Sequence, residues 1–429
     1  MELTLVLLLL LTLILLGSQL FLVIGAMSLT LFYFYVDIPM FDVIKTMFDS
    51  VNKSALLSIP LYVFAGAVMS RGEIAKRLID LALSTFGWMK GGLAVAAVIA
   101  CMFFAAISGS SPVTLIAIGT IMYPAMIKNG YPDKIPLGVL TVSGSLGILI
   151  PPSIPMIIYS VVVSGPGIYV DINKLFIAGI IPGVVTGIFL MAMAMFQGKK
   201  YNLPTQPFSF KSFIVSFQKG IPALLMPILI LGGIYSGIYT VTEAAAVGAI
   251  YAILLELFYF REMKLKDIVD TLYESVIVLG IIFMIIAMAT VFNRFLTLQE
   301  VPMMLLDWMQ TFVTSKGVFL FMTIILLLIV GLFMDSISAI LIIAPLLMYT
   351  AVSYEVDLIH LGIIFILALE IGYLTPPVGI NLFVSCGLFN KPFVQVIKAS
   401  VPYALCLLIA LILVAVFPEI SLFLTRFVE

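Results

Sequence analysis

The chain has 429 residues, of which 63% are hydrophobic and only 10% charged, and its mean hydropathy is +1.26. Because a soluble protein is about one quarter charged, this composition indicates an integral membrane protein. The net charge of −1 gives no basis for binding nucleic acid. A single histidine, His360, excludes a His-based metal site and a His-dependent triad, and the three separated cysteines imply no disulfide framework. The sequence also lacks a Walker loop, so it predicts neither an enzyme nor direct use of ATP.

The first half contains apolar segments of several lengths. The stretch from the N-terminus to about residue 36 lacks the basic n-region of a cleaved signal peptide, so we predict a retained membrane helix. A full span needs about 20 apolar residues, whereas about 10 to 14 suit a half-span or re-entrant piece. In order, the pattern predicts a span at 56–70, an amphipathic arm at 73–88, short apolar helices at 92–107 and 112–127, a broken span at 135–164 and a span at about 172–196.

A basic segment separates the two halves of the chain. Residues 198–219 carry four lysines and no acidic residue, which the positive-inside rule places in the cytoplasm. We interpret this segment as the linker between the halves. The second half then predicts spans at about 221–238, 242–260 and 275–293, an amphipathic piece at 300–313, short apolar helices at 317–333 and 337–350, a second broken helix, and a last helix at about 393–417.

A short phrase occurs twice inside the predicted membrane segments. Gly-Ile-Leu-Ile-Pro-Pro at 147–152 recurs as Gly-Tyr-Leu-Thr-Pro-Pro at 372–377, an offset of 225 residues. Paired prolines remove two backbone donors and disfavour helix before them. The arms and the polar junctions between the short helices match at nearly the same offset. Four full spans and one hairpin lie between the two breaks, so the second unit runs opposite to the first, which is typical of an inverted-repeat transporter.

Polar residues inside the predicted membrane segments are the candidates for function. Hydroxyl and carbonyl oxygens suit hard cations such as Na⁺, and a broken helix frees carbonyls to bind them. We therefore predict Na⁺ sites where each hairpin tip faces a break; the alternative is that these small residues only permit close helix packing. The candidate Na⁺-binding residues are Ser108, Gly109, Ser110, Ser145 and Gly147 in the first half and Asp335, Gly372 and Thr375 in the second.

The ends of half-helices inside the membrane also suit an anion, because their N–H groups and positive dipole ends are exposed there. No basic residue lies at the predicted tips, so backbone donors, hydroxyls and water would bind a carboxylate together. The candidates for contact with substrate are Ser111, Pro152, Ser153, Ser336, Pro377 and Asn381.

Four further residues have separate predicted roles. Pro151 and Pro376 are predicted to hold the two breaks open. Glu243 follows Thr240 in a Thr-x-x-Glu capping box, with a proton-relay or ion role as the alternative. Glu370 precedes the second break by two residues, and it either binds an ion or orients the break.

Four stretches of the chain resemble the large membrane subunit of TRAP transporters, the tripartite ATP-independent periplasmic transporters. They are Pro-Leu-Tyr-Val-Phe-Ala-Gly at 60–66, Ala-Ile-Ser-Gly-Ser-Ser at 106–111, Gly-Ile-Leu-Ile-Pro-Pro-Ser-Ile at 147–154 and the run at 372–383. The chain departs from the family pattern at Pro112, Val241 and Ala368. These departures concern the details of ion coordination.

The resemblance implies a scaffold and a mobile transport domain that work by an elevator-type motion coupled to Na⁺, with no organic cofactor. It implies two partners, a periplasmic substrate-binding protein and a small four-helix membrane subunit, which should be a separate chain because no additional four-span region is present. It also implies import of a carboxylate, such as sialic acid or a C4-dicarboxylate, across the bacterial inner membrane.

The resemblance divides the chain into a scaffold and two transport-domain halves. The predicted parts are N-terminal scaffold helices at 1–55, a scaffold span and arm at 56–91, transport-domain half 1 at 92–165, scaffold spans at 166–274, a second span and arm at 275–316, transport-domain half 2 at 317–390, and a C-terminal helix at 391–429.

Two other classes of function compete with this prediction. One is a stand-alone transporter of similar architecture, such as a divalent-anion/Na⁺ symporter or an arsenite-type antiporter. The other is a channel or an intramembrane enzyme, which would need a filter ring or a recognisable catalytic pair. The sequence shows neither feature.

Overall fold

The computed structural model describes residues 12–13, 18–165, 167–205 and 207–427. In these ranges the regular structure is helical, apart from one isolated β-bridge between Gly165 and Ile168. Eight of the described helices are long and apolar enough to cross a membrane. The prediction of an all-α polytopic membrane protein is therefore confirmed, while most of the predicted helix before residue 18 lies outside the described residues.

The chain begins with a helix pair, a span and the amphipathic arm. These are α1 (Leu20–Tyr35), α2 (Met40–Val51), α3 (Ser58–Arg71) and α4 (Ile74–Phe86). The arm helix α4 buries Ile74, Leu78 and Leu81, which recur at helical spacing on one face. Its charged residues occupy the other face, so the periodicity explains why this helix lies on the surface of the bundle.

A helical hairpin and a broken helix follow in the first half. Hairpin 1 consists of α5 (Gly92–Ser108) and α6 (Ser111–Lys128), and broken helix 1 consists of α7 (Lys134–Gly144), a 3₁₀ turn (Ser145–Ile148) and α8 (Ile154–Val163). We define tip 1 as residues 108–111 and break 1 as residues 145–153. The peptide bond between Pro151 and Pro152 is cis.

The connection between the halves is more helical than the sequence pattern predicts. It contains α9 (Ile172–Lys200), α10 (Phe210–Tyr235), α11 (Val241–Leu254) and a π-helical turn (Leu255–Phe260). The prediction of a loop over the whole of 198–219 is wrong, because Ser209 accepts a hydrogen bond from the backbone of Ser212 and starts α10 at Phe210. The lysines of this segment therefore lie largely on helix ends.

The second half repeats the order of elements. It contains α12 (Leu265–Leu298), α13 (Val301–Gln310), hairpin 2 made of α14 (Lys316–Gly331) and α15 (Ser336–Ser353), and broken helix 2 made of α16 (Leu358–Gly372) and α17 (Ile380–Phe389). We define tip 2 as residues 332–336 and break 2 as residues 373–379. The Pro376–Pro377 peptide bond is also cis. The opposite orientation of the two repeats in the membrane stays a prediction.

The helix that contains the span predicted at 275–293 begins ten residues earlier than predicted, at Leu265. Helix α12 runs for 34 residues because the backbone N–H of Lys264 donates to the Asp267 carboxylate at 2.8 Å and the helix begins at Leu265. The predicted boundary between 274 and 275 therefore falls inside one continuous helix.

The two halves interlock through their hairpins. Helix α17 packs against α6, and α15 packs against α8, so each hairpin contacts the half-helix of the other repeat. The last long helix, α18 (Phe393–Val416), packs against α7, α9 and α16 and covers this core. At one end, Lys391 forms an ion pair with Asp133, which holds the pKa of that carboxyl below its usual value.

The arm helix α4 is attached to α11 by a buried carboxylate. The two oxygens of Glu256, in the π-helical turn, accept hydrogen bonds from the backbone N–H groups of Glu73 and Ile74, each at 3.0 Å. Glu256 is fully buried, and a side chain at Gly72 would collide with its carboxylate. A carboxylate at a helix N-terminus satisfies unpaired donors and complements the helix dipole.

Replacing this carboxylate is expected to loosen the arm. Glu256→Ala leaves two buried N–H groups without partners, so we expect a loss of about 1–3 kcal/mol in the free energy of unfolding. Thermal unfolding of the purified protein in detergent measures this loss. Glu262→Ala, which removes an exposed carboxylate six residues later in the chain, is the control, and equal melting temperatures for both variants would contradict the prediction.

Candidate functional site

Tip 1 lies directly on break 1. Gly109 ends α5 with φ of +60°, and its carbonyl accepts a hydrogen bond from the N–H of Ile154 at 3.3 Å. A Cβ at Gly109 would lie 2.9 Å from the carbonyl oxygen of Pro152, so this contact requires glycine. The Ser108 hydroxyl contacts the Thr114 hydroxyl at 2.8 Å, which fixes the tip from inside.

The polar atoms of break 1 are mostly used within the break. The Ser153 hydroxyl donates to the carbonyl of Ile148 at 2.5 Å and accepts from the N–H of Met156 at 3.5 Å, so it caps α8. A Cβ at Gly147 would collide with the carbonyl oxygen of Ser110. The structure therefore gives Ser153 and Gly147 packing and capping contacts at the places where the sequence predicts ligand contacts.

Tip 2 lies on break 2 in the corresponding way. The Tyr373 hydroxyl is 3.1 Å from the N–H of Ser336 and 2.8 Å from its hydroxyl. The N–H of Val378 donates to the carbonyl of Leu332 at 3.2 Å. Asp335 caps α15, because its carboxylate accepts from the N–H of Ser338 at 3.1 Å and from the Ser338 hydroxyl. Tip 2 therefore presents a carboxylate whose two oxygens already have internal donors.

Three buried hydrogen bonds join the repeats around these breaks. Ser145 contacts Glu370 at 2.7 Å, Asn381 donates to Ser111 at 2.7 Å, and Thr141 contacts Ser385 at 2.7 Å. Ser145 and Glu370 differ by 225 residues, which is the offset of the two Pro-Pro phrases, so they occupy equivalent positions in the two repeats. Glu370 therefore orients both breaks relative to each other.

Several buried oxygens near the breaks have no hydrogen-bond partner among the described residues. They are Ser143 Oγ, Glu370 Oε2 and Asn381 Oδ1. Burying a polar atom without a partner costs free energy, so each of them is a position where a cation or water would be stabilised. All three atoms are oxygens, which are the ligand atoms that hard cations such as Na⁺ prefer.

The other residues singled out by the sequence have local structural contacts. The Thr375 hydroxyl donates to the carbonyl of Ile371 at 2.8 Å. Glu243 forms the capping box with Thr240 that the sequence predicts: the N–H of Thr240 donates to its carboxylate at 2.8 Å. Pro151 and Pro376 lie in the two breaks, each followed by a second proline.

A cavity of about 340 Å³ opens between the two tips and helices α3 and α12. Tip 1 contributes one glycine and two serines, at positions 109–111, tip 2 contributes Ser336, and break 2 contributes Tyr373. The opposite wall includes Val63 and Ala67 of α3 and Thr271, Glu274 and Ser275 of α12. The cavity therefore has one wall from each of the two predicted domains.

The polar wall of this cavity is not among the residues that the sequence pattern predicts for the site. Thr271 and Glu274 lie on the first turns of α12, before the span predicted to begin at residue 275, and Ser275 is the first residue of that predicted span. The signal was present, because Asp267, Thr271 and Glu274 recur at i, i+4 and i+7 on one helix face. Arg71, at the end of α3, donates to Thr271 at 3.2 Å and forms an ion pair with Glu274.

Comparison with known proteins decides the family. A family model described as “Tripartite ATP-independent periplasmic transporter, DctM component” matches residues 6–420. The chain is similar to the C4-dicarboxylate TRAP transporter large permease protein DctM of Pseudomonas aeruginosa, with 41% identity over 396 residues, which is 92% of this chain and 91% of the relative. The chain belongs to the family of TRAP transporter large permeases.

Two further similarities extend this result. The isethionate TRAP transporter permease protein DctMQ of Oleidesulfovibrio alaskensis is 36% identical over 389 residues, which is 90% of this chain but only 60% of that longer protein. The Alcanivorax borkumensis YdaH transporter has the same fold, with a TM-score of 0.65 at 13% identity, covering 89% of this chain and 88% of that one.

Family membership settles the general class of the protein. TRAP large permeases are integral inner-membrane components of transporters and not enzymes, which agrees with the sequence-based expectations. They work together with a small membrane subunit and a substrate-binding protein. The stand-alone symporter and the intramembrane enzyme are therefore set aside in favour of a TRAP permease.

Proposed function

We propose that this chain is the large membrane subunit of a Na⁺-coupled importer that carries an organic anion across the bacterial inner membrane. The cavity between the two tips and helices α3 and α12 is the observation that carries this proposal. In an elevator-type motion, residues 92–165 and 317–390 would move as one unit against the remaining helices. The cavity lies between these two parts, where such a motion would expose it to each side of the membrane in turn.

The cavity suits an anion because two helices begin at it. Helix α6 starts at Ser111 and α15 at Ser336, and both residues line the cavity. Each helix has 18 residues and directs its positive dipole end toward the space between them. The donors at these ends are mainly the hydroxyls of Ser110, Ser111 and Ser336. Pro112 has no N–H, and the N–H groups of Ser336 and Ser338 already have partners. A relative named as a C4-dicarboxylate transporter favours a C4-dicarboxylate over sialic acid as the anion.

Two partner proteins are proposed because the chain belongs to the TRAP large permease family. A binding protein would deliver the anion from the periplasm, and a small four-helix subunit would form a separate chain. The longer DctMQ relative, of which this chain covers only 60%, fits a family in which that subunit is fused in some members and separate in others. Co-purification of the tagged large subunit with a short membrane protein tests the separate partner, and its recovery alone in native detergent extracts would contradict it.

Na⁺ coupling is tested by uptake into proteoliposomes that contain both membrane subunits and receive the binding protein from outside. We expect uptake of radiolabelled succinate to require an inward Na⁺ gradient and to stop when K⁺ replaces Na⁺. Radiolabelled sialic acid serves as the second anion. Equal uptake in Na⁺ and K⁺ would overturn the coupling, and uptake of neither anion would overturn the substrate class.

The Na⁺ site at the tips is tested by three substitutions. Ser108→Ala, Ser110→Ala and Asp335→Asn should each raise the Na⁺ concentration for half-maximal uptake by about tenfold, which corresponds to about 1.4 kcal/mol. Asparagine at 335 keeps the N-cap while it removes the charge. Thr120→Val is the control, because this exposed hydroxyl of α6 only bonds the carbonyl of Ile116. Unchanged Na⁺ dependence in all three variants would remove the tips from the site.

A further inference from the structure

A charge pair stands at the wall of the cavity opposite the tips. Arg71 is the last residue of α3, and its guanidinium donates to the Thr271 hydroxyl at 3.2 Å and pairs with the Glu274 carboxylate. Thr271 and Glu274 both line the cavity. The side chains of Arg71 and Glu274 are 40% and 61% exposed, so both are accessible to a small solute.

This pair decides what charge the cavity wall presents. Among the described residues that line the cavity, Glu274 carries the only formal charge. An uncompensated carboxylate there would repel an organic anion. The Arg71 guanidinium neutralises it, and a guanidinium has five donors in a planar fork that matches a carboxylate with two parallel hydrogen bonds. Arg71 Nη1 donates to Thr271 and Nη2 pairs with Glu274, so a ligand carboxylate would meet the fork by taking the place of the Glu274 carboxylate.

The two walls of the cavity are therefore suited to the two ends of one molecule. On one wall, the starts of α6 and α15 present the hydroxyls of Ser110, Ser111 and Ser336 and the positive ends of the two helix dipoles. On the other, Arg71 is held in position by Thr271 and Glu274. A cavity of about 340 Å³ has room for a four-carbon diacid. A monocarboxylate of the same length would satisfy only one of these walls.

We propose that Arg71 binds one carboxylate of a dicarboxylate substrate, while the tips bind the other, and that Glu274 holds the guanidinium when no anion is bound. This inference rests on the proposed function and adds a specificity-determining residue to it. Binding exchanges one carboxylate partner of Arg71 for another. The exchange keeps the guanidinium paired both with and without substrate. The Glu274 carboxylate, whose side chain is 61% exposed, is released to solvent when the substrate binds.

Equilibrium binding of radiolabelled succinate to the purified complex of both membrane subunits tests the proposal. Succinamate, which replaces one carboxylate of succinate by an amide, is the matched probe. We expect wild type to bind succinate about tenfold more tightly than succinamate, a difference equivalent to about 1.4 kcal/mol. Arg71→Gln should weaken succinate binding by about tenfold and remove the difference between the probes, and Arg71→Lys should restore part of it.

Glu274→Gln separates this role from a purely structural ion pair. If the pair only stabilises the fold, Glu274→Gln and Arg71→Gln lower the melting temperature and succinate affinity alike, and the proposal fails. If Glu274 competes with the substrate, Glu274→Gln binds succinate at least as tightly as wild type. An unchanged preference for succinate in Arg71→Gln overturns the role of Arg71 and leaves the proposed function intact. No succinate binding by wild type overturns the dicarboxylate class itself.

Discussion

Gly372→Ala is expected to abolish uptake while Gly387→Ala leaves it unchanged. A Cβ at Gly372 would lie 2.6 Å from the Cα of Gly331 and 2.8 Å from its carbonyl carbon and oxygen. These are backbone atoms of hairpin 2, so no side-chain rotation can relieve the overlap. The methyl group would push hairpin 2 away from the start of break 2, at an expected cost of about 1–3 kcal/mol. Uptake into proteoliposomes and thermal unfolding in detergent measure the two consequences.

Gly387 provides a matched control for this substitution. It also lies in a helix of broken helix 2, but nothing lies within 4 Å of a Cβ placed there. Alanine at 387 should raise helix stability by about 0.5–1 kcal/mol if it has any effect, because glycine is the poorer helix former. Normal uptake and an unchanged melting temperature in Gly372→Ala would show that the hairpin and the break do not pack as closely as the structure indicates.

Gly372→Ala also bears on two possible roles of this glycine, Na⁺ binding through its carbonyl and close backbone packing, which the sequence alone could not distinguish. The repeated phrase predicts Gly147 and Gly372 as residues whose carbonyls bind Na⁺. The structure adds that both glycines are places of close backbone approach, Gly147 to the carbonyl of Ser110 and Gly372 to Gly331. Loss of uptake should therefore be accompanied by loss of fold stability at 372, whereas Ser108→Ala should retain uptake and change its Na⁺ dependence with a smaller change in stability.

The sequence predicts the order and type of the helical elements because their signals are local. Short apolar segments joined by Ser-Gly-Ser or Met-Asp-Ser predict hairpins, and Pro-Pro pairs predict breaks. The arm helices are evident from their alternating charged and apolar residues. Element ends were less predictable where a helix starts with a polar turn. Helices α10 and α12 begin earlier than their apolar cores, because Ser209 and Asp267 cap turns that hydropathy alone assigns to loops.

The site was predictable only in part because its contacts link distant positions. Tip and break residues could be named from the two Pro-Pro phrases. The bond between Asn381 and Ser111 joins residues 270 positions apart, and the ion pair of Arg71 with Glu274 joins residues 203 positions apart. No local pattern specifies such pairings. Arg71 in particular stands at the end of a span, where a basic residue is ordinary, and only the three-dimensional arrangement places it beside the cavity.

Glu370→Ala is expected to impair transport severely, whereas Glu370→Gln should retain most of it. Ser145 Oγ lies 2.7 Å from the Val142 carbonyl oxygen and 2.7 Å from Glu370 Oε1. A hydroxyl has one proton, and the carbonyl can only accept it. When Ser145 donates to Val142, the second contact needs a proton from the carboxyl group. We therefore expect Glu370 to be a neutral acid that donates to Ser145, a role that the amide of glutamine can also fill.

Alanine at 370 removes this donor and leaves a cavity in the core. Glu370 is fully buried, so the truncation should cost about 2–5 kcal/mol. Uptake and thermal unfolding of both variants measure the difference. The infrared spectrum of the purified protein supplies a readout independent of transport, because the C=O stretch of a protonated carboxylic acid should be present in wild type and weaker in Glu370→Gln. Gln and Ala variants that are equally impaired would instead show that an ionised carboxylate is required.

The position of this contact explains why so large an effect is expected from one side chain. Ser145 begins the 3₁₀ turn of break 1, and Glu370 lies two residues before the end of α16 at break 2. Because the two residues are equivalent in the repeats, their bond holds each break against its counterpart in the other repeat. Losing it would displace both breaks at once, together with the tips that hydrogen-bond to them. A defect confined to Na⁺ affinity or to anion affinity alone in Glu370→Ala would contradict this coupling.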